Sequence, residues 1–342
     1  MHYNHDYKKI RTELKKWYSI HARSLPWRVK TNIYGTWLSE VILQQTRMNV
    51  GVKKWQTIIA TFPTVKHLAN ATEDQVLKAW EGLGYYRRAR FLHKAAQKIY
   101  NNSSFPESYD EWLKLPGIGT YTAAAISSII FNEEVAAVDG NVKRVISRLV
   151  GLKDPINNSQ GSKKINKIAK LLLDKESPGN HNQAMMELGA LICKPKNPKC
   201  NSCPISKQCT CSNNAELLNK IPATIKPKKI KNIDLIWHLV RYKKYIVTIK
   251  TPSEGIWGNL WVFPNTEPST DSFVKKKTLP PVVHLLTHKR IYAKFYTWEA
   301  VNKQELVAYA SSINGEVIPI IELKNLAMPR LITKNILPIF TM

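Results

Sequence analysis

The sequence predicts two domains, a mainly α N-terminal region and a smaller C-terminal α+β domain. Three observations carry this. From residue 5 to about 192, apolar residues recur three and four apart, the spacing of helices with one buried face. A stretch at 220–231, "KIPATIKPKKIK", then interrupts the pattern with five lysines, two prolines and no acid, the composition of a linker. Beyond it the period shortens, and β-branched and aromatic residues take over. A chain of 342 residues also exceeds what one ordinary core holds.

The elements follow in order. The N-terminus reads as an amphipathic helix with Ile10, Leu14 and Trp17 on one side. Breaks at Pro26, Pro63, Gly82–Gly84, Pro106, Pro116–Gly119, Pro155 and Pro178–Gly179 divide the region into roughly ten short helices. The strongest is "VKRVISRLV", with Val142, Val145, Ile146 and Leu149 on one face. A cysteine cluster closes this region, residues 1–211. Residues 212–231 are the expected linker and 232–342 the second domain. There "LIWHLVRYKKYIVTIK" reads as two strands with a turn near Lys243–Lys244, and "KRIYAKFYTWEA" as a further strand.

Charge narrows the partners. Lys and Arg number 51 against 25 Asp and Glu, a net +26. Nucleic acid or an anionic membrane suits such an excess, and a lysine-rich compositional bias also produces it. No segment approaches about 18 uninterrupted apolar residues, so no membrane-spanning helix is expected. The N-terminus lacks the apolar core of a signal peptide, which points to the cytoplasm.

Two motifs carry chemistry. In "LPGIGTYTAAAI", Leu115–Ile126, Pro116 favours a turn, and Gly117 and Gly119 tolerate positive φ and close approach. A small-residue helix follows. Free amides at its start suit an anion, so the stretch reads either as a helix-hairpin-helix gripping DNA phosphate or as an ordinary helix connection. The second motif is C-x6-C-x2-C-x5-C, formed by Cys193, Cys200, Cys203 and Cys209. Four thiolates on one short loop suit a [4Fe–4S] cluster better than zinc, which usually pairs two C-x2-C knuckles. Cys211 is left over, as a spare or as a competitor of Cys209. Lys194, Lys196, Lys199 and Lys207 interleave the ligands and partly offset their charge.

Hairpin then cysteine loop, in this order, resembles the endonuclease III superfamily of helix-hairpin-helix DNA glycosylases, over about residues 8–211. The resemblance implies a catalytic aspartate some twenty residues after the hairpin. "VDGNVKRV" supplies Asp139, which its context also marks as a helix N-cap. Bifunctional members carry a lysine just after the hairpin that forms a Schiff base. Here that position is Tyr121, and a phenol forms no imine. An acid is then needed to make the base a better leaving group. Glu40 in "WLSEVILQQTR" is the candidate, with Gln44 and Arg47 expected along the same helical face and Leu38 and Val41 on a more apolar stripe. Shielding there keeps a carboxyl protonated near neutral pH, whereas a solvated helix glutamate ionises.

"LSEVILQQTR", "LPWR", "GLGYYRRAR", "NQAMMELGALIC" and "GNLWVFP" together resemble the adenine DNA glycosylase (MutY) family, through both domains. That resemblance implies removal of adenine mispaired with 8-oxoguanine or guanine in double-stranded DNA, by a monomer with a [4Fe–4S] cluster. It implies that Tyr121 and Asn141 support Glu40 and Asp139, and that Gln183 reads an edge of the flipped adenine. Gln45 and Tyr85 fill or wedge the stack, Tyr85 being open to a core-packing role as well. Arg28 contacts the pocket or a phosphate. The alternative is an endonuclease III-like glycosylase/lyase on damaged pyrimidines.

The second domain resembles the Nudix-like lesion-sensing domain of that family. No glutamate-rich R-E-x-x-E-E box occurs, so no pyrophosphatase activity is expected. The family reads 8-oxoguanine with Phe-Ser-His on a β-turn. Here the site is Leu286-Thr287-His288, which keeps a hydroxyl but loses the phenyl ring.

Overall fold

The computed structural model describes residues 6–212, 214–225, 230–286 and 289–340. Its helices begin with α1 (Tyr7–His21), α2 (Pro26–Val29), α3 (Ile33–Leu43), α4 (Met48–Thr61), α5 (Val65–Asn70) and α6 (Glu73–Ala79). They continue with α7 (Arg87–Asn101), α8 (Tyr109–Leu113), α9 (Thr120–Phe131), α10 (Gly140–Val150), α11 (Ser159–Leu172), α12 (Pro178–Leu191) and α13 (Ala215–Lys220). The first twelve exceed the roughly ten expected, because pieces as short as the four-residue α2 are too brief to show a period.

The strands are β1 (Lys231–Tyr242), β2 (Tyr245–Lys250), β3 (Trp261–Val262), β4 (Phe273–Leu285), β5 (Lys289–Ala300) and β6 (Glu316–Pro319). Helices α14 (Lys303–Ser312) and α15 (Arg330–Asn335) complete the chain. Among the described residues, no helix is long and apolar enough to cross a membrane.

The chain packs as two compact units. The first comprises Met1–Ala60, Thr64–Lys66 and Lys94–Lys226; the second comprises Thr61–Pro63, His67–His93 and Pro227–Met342. One core of the first unit joins α1, α10, α11 and α12. The predicted faces meet there, with Ile10, Leu14 and Trp17 against Val142, Val145, Ile146 and Leu149. Side-chain caps start these helices: Asp6 accepts from the Lys9 amide at 2.9 Å and Asn158 from the Gly161 amide at 2.7 Å. Ile221 and Ile225 are held here too. Arg148 Nε donates to Ile221 O at 2.9 Å, and Asn157 exchanges two hydrogen bonds with the Ile225 backbone.

In the second unit the sheet order is β3-β2-β1-β5-β4, with β6 also on β2. The strands expected from "LIWHLVRYKKYIVTIK" form the β1–β2 hairpin, turning at Lys243 and Lys244, with Tyr242 opposite Tyr245. "KRIYAKFYTWEA" is β5, parallel to β1 and antiparallel to β4. The pattern on β4 is hidden by lysines 275–277 and by Pro280–Pro281. The prolines lack ladder donors, and the register shifts between Leu279 and Val282. Side chains on both faces of β1 are buried. Trp237 and Leu239 join Phe295 and Leu331 on one side, and Val240 joins Trp298 and Leu306 on the other.

Candidate active site

A cavity of about 930 Å³ opens in the first unit. Arg28, Glu40, Gln45, Tyr121, Asp139, Asn141 and Gln183, which sequence assigns to catalysis or binding, all line it. They come from α2, the end of α3, the first turns of α9 and α10, and α12.

Glu40 sits on α3, whose residues 34–42 are buried throughout. The Tyr121 hydroxyl donates to Glu40 Oε2 at 2.6 Å and has Met186 Sδ at 3.1 Å. Burial pushes the Glu40 carboxyl up to about 7. The charge of Asp139 adds to the rise, while the Tyr121 hydrogen bond and the charge of Arg28 oppose it. Burial and the same two carboxylates hold the Tyr121 phenol well above its ordinary value, so it remains a donor. Burial thus brings the titration of Glu40 into the neutral range, and Tyr121 fixes one of its oxygens.

Asp139 takes the capping role its context suggested, and it lines the cavity. It caps α10, accepting from the Val142 amide at 2.7 Å, and its other oxygen accepts from Asn141 Nδ2 at 2.9 Å. Burial raises its pKa and these bonds restrain the rise. Asn141 is fixed in turn by Arg144. The Arg144 guanidinium donates to Asn141 Oδ1 and to Gly189 O, both at 2.9 Å, and to Cys193 O at 2.7 Å. Gly189 makes this approach possible, since a Cβ there would lie 2.6 Å from that of Asn141. At Gly140 a Cβ would meet nothing within 4 Å, so the glycine leaves the cavity open beside Asp139.

Sequence reasoning missed Glu187. It is 1% exposed and binds Arg23 through both oxygens, at 2.7 and 2.5 Å, and Arg28 at 3.2 Å. Burial favours the neutral acid, but the Arg23 hydrogen bonds and the Arg28 charge win and hold the carboxyl below its ordinary range. The one acid in "NQAMMELGALIC", between Met186 and Leu188, was the available signal. Arg28 is thus a pocket residue, bonded to Glu187, with its ring neighbour Tyr18 5.8 Å away.

One expectation is corrected. Glu40, Gln44 and Arg47 do not share a helical face, because α3 stops at Leu43 and Gln45 takes φ +56°. Gln44 and Gln45 still line the cavity, Gln44 bonding Thr122 Oγ1 at 3.1 Å, but Arg47 does not.

The hairpin is α8, a turn and α9. Gly117 takes φ +76°, whereas Gly119 is extended at φ −99° and caps α9 without any side-chain bond. Nothing lies within 4 Å of a Cβ at Gly119, and Gly117, Gly119 and Thr120 are exposed. Tyr85 belongs to the second unit, half-exposed, with φ +47°. Thr287 and His288 lie outside the described residues.

Cys193, Cys200, Cys203 and Cys209 follow α12 on a loop of short 3-10 turns, half-buried. No group of three or more His, Cys, Asp or Glu is arranged as a metal centre among the described residues. The donor set nevertheless suits a sulfur-ligated cluster. Cys193, Cys203 and Cys209 pack on the unit's core, and Arg148 Nη1 reaches Cys193 Sγ at 3.5 Å. Backbone amides of Ile205, Cys211 and Ser212 point at Cys203 and Cys209, the donors that thiolate ligands need. Cys211 is fully buried.

Comparison with known proteins agrees with this geometry. Residues 38–173 match the HhH-GPD superfamily base excision DNA repair protein, and 236–337 match the NUDIX domain. The chain is similar to an adenine DNA glycosylase of Buchnera aphidicola subsp. Baizongia pistaciae (strain Bp), 36% identical over 301 residues. The match spans 84% of this chain and 85% of the relative. Among solved structures it resembles a thermostable thymine-DNA glycosylase, at TM-score 0.55 and 26% identity, over 60% of this chain and 95% of that one. A trapped endonuclease III–DNA covalent intermediate gives TM-score 0.51 and 25% identity over the same shares. On a 36% identity that covers 84% of its length, the chain belongs to the adenine DNA glycosylase family.

Proposed function

We propose that this protein is a monofunctional glycosylase that hydrolyses the N-glycosidic bond of adenine mispaired with 8-oxoguanine or guanine, in base excision repair. The bond from Tyr121 to a glutamate held near pKa 7 carries the reading. A buried neutral acid is what protonation of a leaving base requires. Adenine leaves the stack to reach the cavity. Glu40 protonates its N7, and Asp139 stabilises the oxocarbenium-like sugar and then assists attack by water, the division of labour of paired carboxylates in glycosidases. Asn141 holds Asp139, and Gln183 reads the adenine edge. No lysine lines the cavity among the described residues, which argues against an imine route.

Gly117 and Gly119 grip a phosphate through the amides at the start of α9. Gln45 and Tyr85 fill the stack around the lesion, and Thr287 and His288 read 8-oxoguanine. Cys193, Cys200, Cys203 and Cys209 hold a [4Fe–4S] cluster, which when bound supplies a covalent anchor for the loop and a redox-active centre. The protein acts as a monomer on double-stranded DNA, in the cytoplasm or at the nucleoid.

Single-turnover assays on A:8-oxoG, A:G and A:C duplexes, with borohydride added, test this. Adenine release fastest opposite 8-oxoguanine, without a trapped adduct, is expected. Efficient trapping, or undiminished release by Glu40→Gln, would overturn the assignment.

A further inference from the structure

Tyr85 stands on a turn that its own sequence neighbourhood cannot fully hold. Gly82, Gly84 and Tyr85 take φ of +92°, +67° and +47°. A tyrosine resists that region, so the surroundings must over-determine it. Local groups do part of this. Trp80 Nε1 donates to Gly84 O at 3.1 Å, and Arg88 Nη2 to Leu83 O at 3.3 Å and Gly84 O at 3.4 Å. The Arg88 guanidinium lies 5.2 Å from the Trp80 ring and 5.7 Å from that of Tyr85.

The remaining grip comes from far along the chain, within the same unit. The buried Tyr86 hydroxyl accepts from the Gly82 amide and donates to Met328 O at 3.1 Å. Arg330 Nη1 donates to Gly82 O at 3.4 Å. The amide and the carbonyl of Gly82 are therefore both tied, the first through Tyr86 to Met328 and the second to Arg330. The seam continues away from the turn. Lys78 Nζ donates to Leu326 O at 3.2 Å, Lys250 pairs with Asp74 at 2.7 Å, and Asn259 donates to Glu73. Arg90 donates to Ser253 O beside Gly258, where a Cβ would lie 2.6 Å from the guanidinium.

We propose that the segment 328–330 sets the backbone of the Tyr85 turn through the amide and carbonyl of Gly82, which makes Tyr86 and Arg330 positioning residues for Tyr85. The proposal rests on the reading of Tyr85 as the wedge in the DNA stack. The C-terminal sequence then serves base extrusion twice, by reading the lesion and by aiming a side chain some 240 residues upstream of it.

The test uses the full chain and an A:8-oxoG duplex with 2-aminopurine next to the 8-oxoguanine. Fluorescence is read at saturating protein in a Glu40→Gln background, which keeps the duplex intact, and single-turnover rates are read with Glu40 present. Tyr86→Phe, which loses two hydrogen bonds, should slow release about five- to tenfold and Arg330→Gln, which loses one, about two- to fivefold. Both should dim the fluorescence toward the level of Tyr85→Ala and add nothing further in that variant. Asp74→Asn, elsewhere on the seam, should match the parent. Arg330 is exposed, so Arg330→Gln keeps the test valid should Tyr86→Phe fold poorly. Parent-like fluorescence in Tyr86→Phe and Arg330→Gln, or losses that add to those of Tyr85→Ala, overturn the proposal while leaving the wedge intact. Parent-like rate and fluorescence in Tyr85→Ala itself overturn the wedge reading, and the proposal with it.

Discussion

Two glutamates in one cavity are driven in opposite directions. Glu40, buried and facing a phenol and a second carboxylate, is pushed up to about 7. Glu187, held by two guanidiniums, stays ionised. The acid role proposed for Glu40 uses this shift, and on that proposal the rate of adenine release at low substrate should fall as pH rises through about 7. Glu187→Gln removes the carboxylate that pairs with Arg28, whose charge already opposes the rise at Glu40, and should lower the Glu40 pKa. The profile should move to lower pH and the rate at pH 7.5 should drop; an unmoved profile would show that the arginines do not tune Glu40. Stability carries the same signature with a definite sign. The folded pKa of Glu40 lies above the unfolded value of 4.5, so its contribution is present in full below that pH and is lost as pH rises through about 7. Glu40→Gln cannot ionise, and should gain on the order of 2 kcal/mol on the parent at pH 8 compared with pH 5. Denaturant titrations at the two pH values measure it. Glu40, Tyr121 and Asp139 were legible through motif resemblance. Glu187 was not, because an acid in an apolar helix shows its role only once Arg23, more than 160 residues away, is beside it.

At the scale of the element, the hairpin turn divides its labour between two glycines that look equivalent in sequence. Gly117 needs its positive φ, and Gly119 does not. Gly117→Ala should cost about 1 kcal/mol and weaken duplex binding. Gly119→Ala fits without strain and should leave the melting temperature near the parent's, while its methyl group crowds the amides and weakens binding. Calorimetry paired with binding titrations at two salt concentrations separates the two effects; equal melting losses would sink the distinction. Helix α3 shows the limit of periodicity. Helical spacing carried past Leu43 would align Glu40, Gln44 and Arg47, yet the chain leaves the helix after Leu43, where Gln44 bonds Thr122 and Gln45 turns left-handed.

For the whole molecule, the second unit takes residues 67–93 as well as the sheet. Deleting 231–342 would strip Asp74 of Lys250, Tyr86 of the Met328 carbonyl and Gly82 of Arg330. The remaining chain should melt lower and expose apolar surface around the fully buried Trp80, detectable as increased dye binding. An unchanged melting temperature would show that the seam contributes little. In the first unit, Cys203→Ser should remove the broad absorption near ~400 nm expected of an iron–sulfur cluster. It should also loosen the loop that Arg144 and Arg148 join to α10, seen as faster proteolysis there.

The sequence by itself determined the two fold classes, the helix faces of the first core, the β1–β2 hairpin, β5 and the order of hairpin, aspartate and cysteines. Those features depend on local periodicity and on the few residue types that turns and ligands accept. Tertiary structure alone decided that α3 ends before Arg47, that Glu187 anchors Arg23 and Arg28, and that residues 67–93 pack with the C-terminal sheet. It also decided that Glu40 has a pKa near neutrality. Each of these turns on groups far apart in the chain meeting out of water, where burial and a single neighbouring charge outweigh any local preference.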